Sequence, residues 1–313
     1  MSPKKILTRL ELGRIEIGHR AVLSAGCHQV VSGTRPAERV VSLADSYRRL
    51  ATPGGLVIST PITARPAATA TSGSPLSERW SFLDPVSQAA WRATIRSVHD
   101  EGGLLVARMQ CPGSQALFST SAGGAQQGRA SSPPEEALSH CGAFATAMRD
   151  LEFDGIELCC VVPDPGSSYS AVTRQDSAAG EAAPQQPVAF PAEILQLLID
   201  TWGSDRVGVR LSPSVDDNAM DPFCALLAML NDLEIAFLHL ADAKPIEPKA
   251  GGVRITAAAA RLRHAFRWPV IASGGFSLRQ AVALVDSRWA DAICFPHEQD
   301  GPTLLEQLTA LKS

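Results

Sequence analysis

The feature that most constrains this chain is a repeat of short apolar runs, each followed by an amphipathic stretch. Eight runs rich in Val, Ile and Leu occur in order: Ala21–Cys27, Leu56–Thr60, Leu104–Met109, Gly155–Cys160, Arg206–Pro213, Ile235–Leu240, Pro269–Ser273 and Asp291–Phe295. Runs of this length, apolar almost throughout, read as strands buried on both faces, the habit of a parallel sheet covered by helices. Helical patterns fall between them at Ala37–Leu50, Pro85–Asp100, Pro134–Asp150, Pro191–Trp202, Pro222–Asp232, Thr256–Phe266 and Leu278–Ser287, with Thr303–Lys312 closing the series. Eight strand-then-helix units are what a closed barrel requires, whereas an open doubly wound sheet usually stops at about five or six strands. The fold class is therefore α/β, a (β/α)₈ TIM barrel, and residues 1–313 are expected to form a single domain.

Two kinds of segment interrupt the repeat. Ile6–Ile17 alternates apolar and polar residues about Leu12-Gly13-Arg14, which predicts a β-hairpin capping the N-terminal mouth of the barrel. Ser114–Ser132 and Val162–Gln186 are long loops after strands three and four, rich in small and polar residues, and are read as lids or as plain insertions on the functional face.

Composition narrows the function classes. A net charge of −4 with the two signs interspersed offers no basic stripe for nucleic acid. No run of about 18 apolar residues is present to span a bilayer, and the first residues lack the apolar centre of a signal peptide, so a cytoplasmic location is expected. Seven cysteines without a CxxC pair point to free thiols, and neither a disulfide framework nor a metal site is expected. The expected partner is a small-molecule substrate, with homo-oligomerisation left open.

In barrel enzymes the chemistry gathers at the C-terminal ends of the strands. Those ends supply Cys27 and His28, then Ser59 and Thr60, then Arg108, Gln110 and Cys111, then Cys159 and Cys160. The later strands add Arg210 and Ser212, His239 and Asp242, Ser273-Gly274-Gly275, and Pro296-His297. Gly274-Gly275 stand just before a helix, where exposed N–H groups and the helix dipole hold an anion, although such a pair also serves as a plain tight turn. His297 is a candidate further donor to that site. A guanidinium inside a barrel strand must meet an anion, so Arg210 is read as facing a ligand or as paired with a carboxylate such as Glu157. Cys159 and Cys160 lack a visible histidine partner and read as buried thiols. His28 and His239 are candidate acid–base groups.

With these segments in order, the chain resembles the old yellow enzyme family, the FMN-dependent NAD(P)H:enone reductases, over nearly its whole length. The stretches LELGRIEIGHRAVLSAGC, WRATIRSVHDEGGLLVARM, FDGIEL, RVGVRLSP, IAFLHL, VIASGGF and ADAICF carry the likeness, each in its proper place. The resemblance implies that Cys27 lies beside the flavin ring, that Arg210 faces its electron-rich side, and that Gly274-Gly275 form half of the phosphate grip. Arg174 and Asp176 are similar to an R-x-D segment of the family.

Other positions depart from the pattern. Cys159 and Val162 stand where the family has the His and His/Asn that polarise the substrate carbonyl, and Asp164 stands where it has a tyrosine acid. A thiol is a poor donor and valine is none, so ene reduction by the family's own pair is ruled out. Arg108 aligns with the glutamine that contacts the flavin pyrimidine, and Pro296-His297 with the Gly-Arg of the second phosphate half. Losing that arginine removes a contact worth about 1.5–3 kcal/mol, which leaves FMN open as a cofactor and NAD(P)H needed only where FMN is used. Three functions are consistent with this. One is an FMN oxidoreductase of altered mechanism, acting on an enone-like or polycyclic small molecule in a biosynthetic pathway. The second is a flavin-free isomerase or cyclase, and the third a non-catalytic binding barrel. Arg108, Gln110, His28 and His239 are the candidate catalytic residues; Cys27, Arg210, Gly274, Gly275 and His297 are the candidate cofactor contacts.

Overall fold

Branched and aliphatic residues favour the pleated conformation when both faces are covered. In the computed structural model each of the eight runs is a strand: β1 (Ala21–Ser24), β2 (Leu56–Thr63), β3 (Leu104–Gln110), β4 (Gly155–Cys160), β5 (Val207–Leu211), β6 (Phe237–Leu240), β7 (Val270–Ala272) and β8 (Ala292–Pro296). They pair in parallel in chain order, and β8 returns to β1 with Ile293 opposite Ala21, closing the barrel. The structure describes residues 4–26, 43–63, 85–110, 135–160, 169–170, 188–189, 191–211, 217–241, 246–249 and 252–311. Cys27, His28, Cys111, Val162, Asp164, Arg174, Asp176, Ser212 and Asp242 lie outside the described residues, as do the two long loops apart from Tyr169–Ser170.

Alternation along the strands sorts side chains between two cores. Val22, Leu56, Ile58, Val106, Phe237, Ile271, Ala292 and Cys294 face the lumen, while the other face of each strand packs on the helices. The predicted hairpin is present, Leu10–Leu12 pairing antiparallel with Ile15–Ile17, and Leu12, Ile15 and Ile17 join the lumen cluster from below. Gly13 makes its turn at φ +59°, and Arg14 fastens it by donating its amide to Asp205 O (2.9 Å) and Nε to Asp205 Oδ2 (2.7 Å). The N-terminal mouth is thus filled by apolar side chains.

Strand limits shift from the sequence expectation for local reasons. β2 runs on to Thr63 because its ladder slips between Ile58 and Pro61, at a residue that has no N–H to donate. β6 begins at Phe237 although Ile235 and Ala236 are already buried, since burial starts before ladder pairing does. The helix expected from Pro222 starts earlier, at Asp217. Two short ribbons were not anticipated. Ile246–Lys249 pairs antiparallel with Gly252–Ile255 after β6, and Tyr169–Ser170 pairs in parallel with Val188–Ala189 after β4. Both lie in strand-to-helix connections, which belong to the C-terminal face of a barrel.

Candidate active site

Period-two alternation also builds the site. Two residues beyond the apolar tier, the lumen-facing positions become Ser24 after Val22, Arg108 after Val106, Glu157 after Gly155, Arg210 after Gly208, His239 after Phe237 and Ser273 after Ile271. A polar tier therefore sits on an apolar plug.

Its members are bonded in a chain. Arg108 donates Nε to Glu157 Oε1 at 2.6 Å and Nη1 to Ser24 Oγ at 3.1 Å. Its amide donates to Ser59 Oγ at 2.9 Å, filling the ladder gap left by the β2 slip. Glu157 Oε2 lies 2.7 Å from His239 Nδ1, and His239 Nε2 lies 3.3 Å from both Arg210 Nη1 and Ser273 Oγ. Glu157 and His239 are fully buried, and Arg108 is 5% exposed. Arg108 Nη2 is buried with no hydrogen-bond partner among the described residues.

Burial alone would raise the Glu157 carboxyl, but Arg108 and His239 outweigh it and hold it well below the usual carboxylate range. Burial disfavours the charge on Arg108, and Glu157 more than restores it. Burial, with the two guanidiniums, pushes His239 down to about 4 against the pull of Glu157. Burial likewise pushes the Cys294 thiol up to about 11, leaving it protonated and inert at neutral pH.

The structure thus brings together Arg108, Arg210 and His239 of the candidate residues. Gln110, one tier higher on β3, stands in register with Cys159, which in turn stands in register with Arg210. Gly274 and Gly275 are exposed in the turn before the helix Leu278–Asp286, and no atom lies within 4 Å of a Cβ placed on Gly275. The helix start is closed by its own capping box between Ser277 and Gln280, which occupies two of its amides. His297 turns toward β1, its ring filling the place a side chain at Gly26 would take, and it lines a small cavity of about 260 Å³ with Ser46, Arg49 and Leu50. The Arg210–Glu157 pairing, one of the two readings of Arg210, takes a different form: Glu157 is hydrogen-bonded by Arg108, and Arg210 is linked to it by hydrogen bonds through His239. Ser24 was missed, and Ser273 was noted only as a strand-end residue; the signal for both was their position two residues beyond lumen-facing Val22 and Ile271.

A barrel plugged below and polar above carries its polar groups at the C-terminal mouth, the face on which barrel enzymes gather their chemistry. No protein-family model matches the chain. Among curated proteins it is 26% identical to a chanoclavine-I aldehyde reductase, fgaOx3, of Penicillium roqueforti, over 92% of this chain and 83% of that protein. It is 24% identical to 12-oxophytodienoate reductase 2 of Arabidopsis thaliana (93% and 84% covered) and 24% identical to a probable inactive dehydrogenase, easA, of Claviceps fusiformis (93% and 82% covered). Among solved structures, morphinone reductase in complex with tetrahydroNAD superposes with a TM-score of 0.67 at 18% identity, covering 100% of this chain and 93% of that one. The chain is old yellow enzyme-like.

Proposed function

We propose that this protein is an oxidoreductase of old yellow enzyme type that acts on an enone-like or polycyclic small molecule in a biosynthetic pathway, using FMN with a rearranged set of polar groups. The observation that carries this reading is the surplus positive charge of the polar tier. Among the described residues two guanidiniums face one carboxylate there, and one guanidinium nitrogen is buried without a partner. Such a charge suits the electron-rich end of a flavin ring. Arg210 and Arg108 would hold that end, and Gly274-Gly275, with open space above Gly275, would admit the phosphate. When bound and reduced by NAD(P)H, FMN supplies the hydride. Glu157 accepts one bond on each oxygen and is held well below the usual carboxylate range, so it serves to orient Arg108 and His239 as an anion.

The test is the visible spectrum of the purified protein after incubation with excess FMN. A flavin spectrum is expected, lost or much weakened in Arg210→Met. Protein that stays colourless under these conditions ends the reading. A second reading, a flavin-free isomerase or cyclase, is favoured by the likeness to a relative named a probable inactive dehydrogenase and by Cys159 at the family's histidine position. It requires turnover of substrate without NAD(P)H, and a strict need for reduced flavin excludes it.

A further inference from the structure

The contacts of His239 bear on its proton count. Its Nε2 lies 3.3 Å from Arg210 Nη1, which can only donate, and 3.3 Å from Ser273 Oγ, which can donate or accept, so the guanidinium is the contact that calls for a lone pair on Nε2. The single ring proton is then on Nδ1, donated to Glu157 Oε2 at 2.7 Å. His239 is a neutral imidazole. That is unusual for a histidine against a buried carboxylate, since such a neighbour ordinarily favours imidazolium.

Full burial weighs first against imidazolium, Arg210 adds to it directly, and Arg108 adds to it from the other side of Glu157. Lumen-facing groups around His239 are Arg108 on β3, Glu157 and Cys159 on β4, Arg210 on β5, Ser273 beyond β7 and Cys294 on β8. Among the described residues Glu157 is the only anion of this set, and its Oε1 is held by Arg108 Nε at 2.6 Å. Counted over the described residues, two guanidiniums against one carboxylate leave one net positive charge while His239 is neutral. A proton on His239 would make that two, in a fully buried place, and would set an N–H against Arg210.

We propose that Arg108 is a positioning residue which, by sharing Glu157, keeps His239 as the neutral Nδ1–H tautomer, so that Nε2 anchors the Arg210 guanidinium at the barrel mouth. With an uncharged side chain at position 108 the same cluster reaches the same net charge by taking a proton at His239. Arg108 thus replaces a charge that titrates with one that does not, and Arg210 keeps its orientation across the physiological pH range. The downward displacement of His239 described above agrees with this.

The experiment is long-range ¹H–¹⁵N correlation on the full chain labelled at histidine, with the His239 signals assigned by their loss in His239→Gln. The wild type is expected to show a protonated Nδ1 and an unprotonated Nε2, unchanged between about pH 5 and 8. In Arg108→Gln the same ring is expected to titrate with a midpoint moved up toward 6.5, the ordinary histidine value. Arg108→Lys, which restores the cation, returns it to the neutral form, whereas a purely structural role for Arg108 would make the Gln and Lys variants alike. An imidazolium or an Nε2–H tautomer in the wild type at pH 7, or an Arg108→Gln ring that stays neutral throughout, overturns the proposal. Should Arg108→Gln not fold, the wild-type acid titration decides: a midpoint below about 5 is required, and one near 6.5 overturns it.

Discussion

Glu157 has an acceptor bond on each oxygen and no exposure, so neither partner can be removed without leaving a buried charge short of a donor. Truncating Arg108 to Ala removes the shorter of the two bonds and also takes away the donor to Ser24. A loss of about 3–5 kcal/mol is expected, the usual result of breaking a buried pair from one side. Arg108→Met combined with Glu157→Gln removes both charges at nearly constant volume and should recover much of that loss; urea denaturation of the single and double variants measures it. If the double variant is as unstable as the sum of the singles, the two groups are not coupled as their geometry implies. Arg108, Arg210 and His239 were legible as strand-end residues, because strand position alone places a side chain near the mouth. Their pairing was not legible. Glu157 and Arg210 are on adjacent strands and looked like partners, but the stagger of the barrel puts Glu157 level with Arg108 and Gly208, and Arg210 level with His239.

At the scale of elements, the strands and most helices were legible because each carries enough periodic residues to declare itself. The ribbons Ile246–Lys249/Gly252–Ile255 and Tyr169–Ser170/Val188–Ala189 are too short for any periodicity. The most exacting fit lies between neighbouring strands. Gly208 on β5 leaves room for the Phe237 ring on β6, and a Cβ at 208 would overlap that ring, although the two residues stand level in the ladder. Phe237 fills the lumen directly below His239, so pushing it aside also disturbs the polar tier. Gly208→Ala should cost about 1–3 kcal/mol through overpacking. Adding Phe237→Leu should relieve part of that cost, so that the thermal midpoint of the double variant lies above the value that addition of the singles would give. Strict additivity would mean that the ring finds space elsewhere.

For the whole molecule, the eightfold repeat makes the barrel readable from sequence, while the site depends on which six or so side chains meet across the lumen, information that no single segment holds. The same burial that plugs the barrel gives the molecule a pH dependence with a definite sign. His239 is held at about 4 in the folded chain against 6.5 as the ordinary value. Above 6.5 both states leave the ring neutral and its contribution to stability is fully present. As pH falls from 6.5 toward 4, the unfolded chain takes a proton that the folded chain refuses, and stability drops by a total of roughly 3 kcal/mol. His19, pushed down by its own burial, acts in the same direction, and Glu157 adds its loss only below the ordinary carboxylate value. Between about pH 6.5 and 5.5 ordinary carboxylates stay ionised in both states, so the slope there belongs to the histidines. Urea midpoints taken across that interval should fall steadily in the wild type. In His239→Gln, whose amide keeps one donor for Glu157 and one acceptor for Arg210, the slope should lessen by up to about 1.4 kcal/mol per pH unit. An unchanged slope in that variant would mean that His239 already carries its proton in the folded barrel.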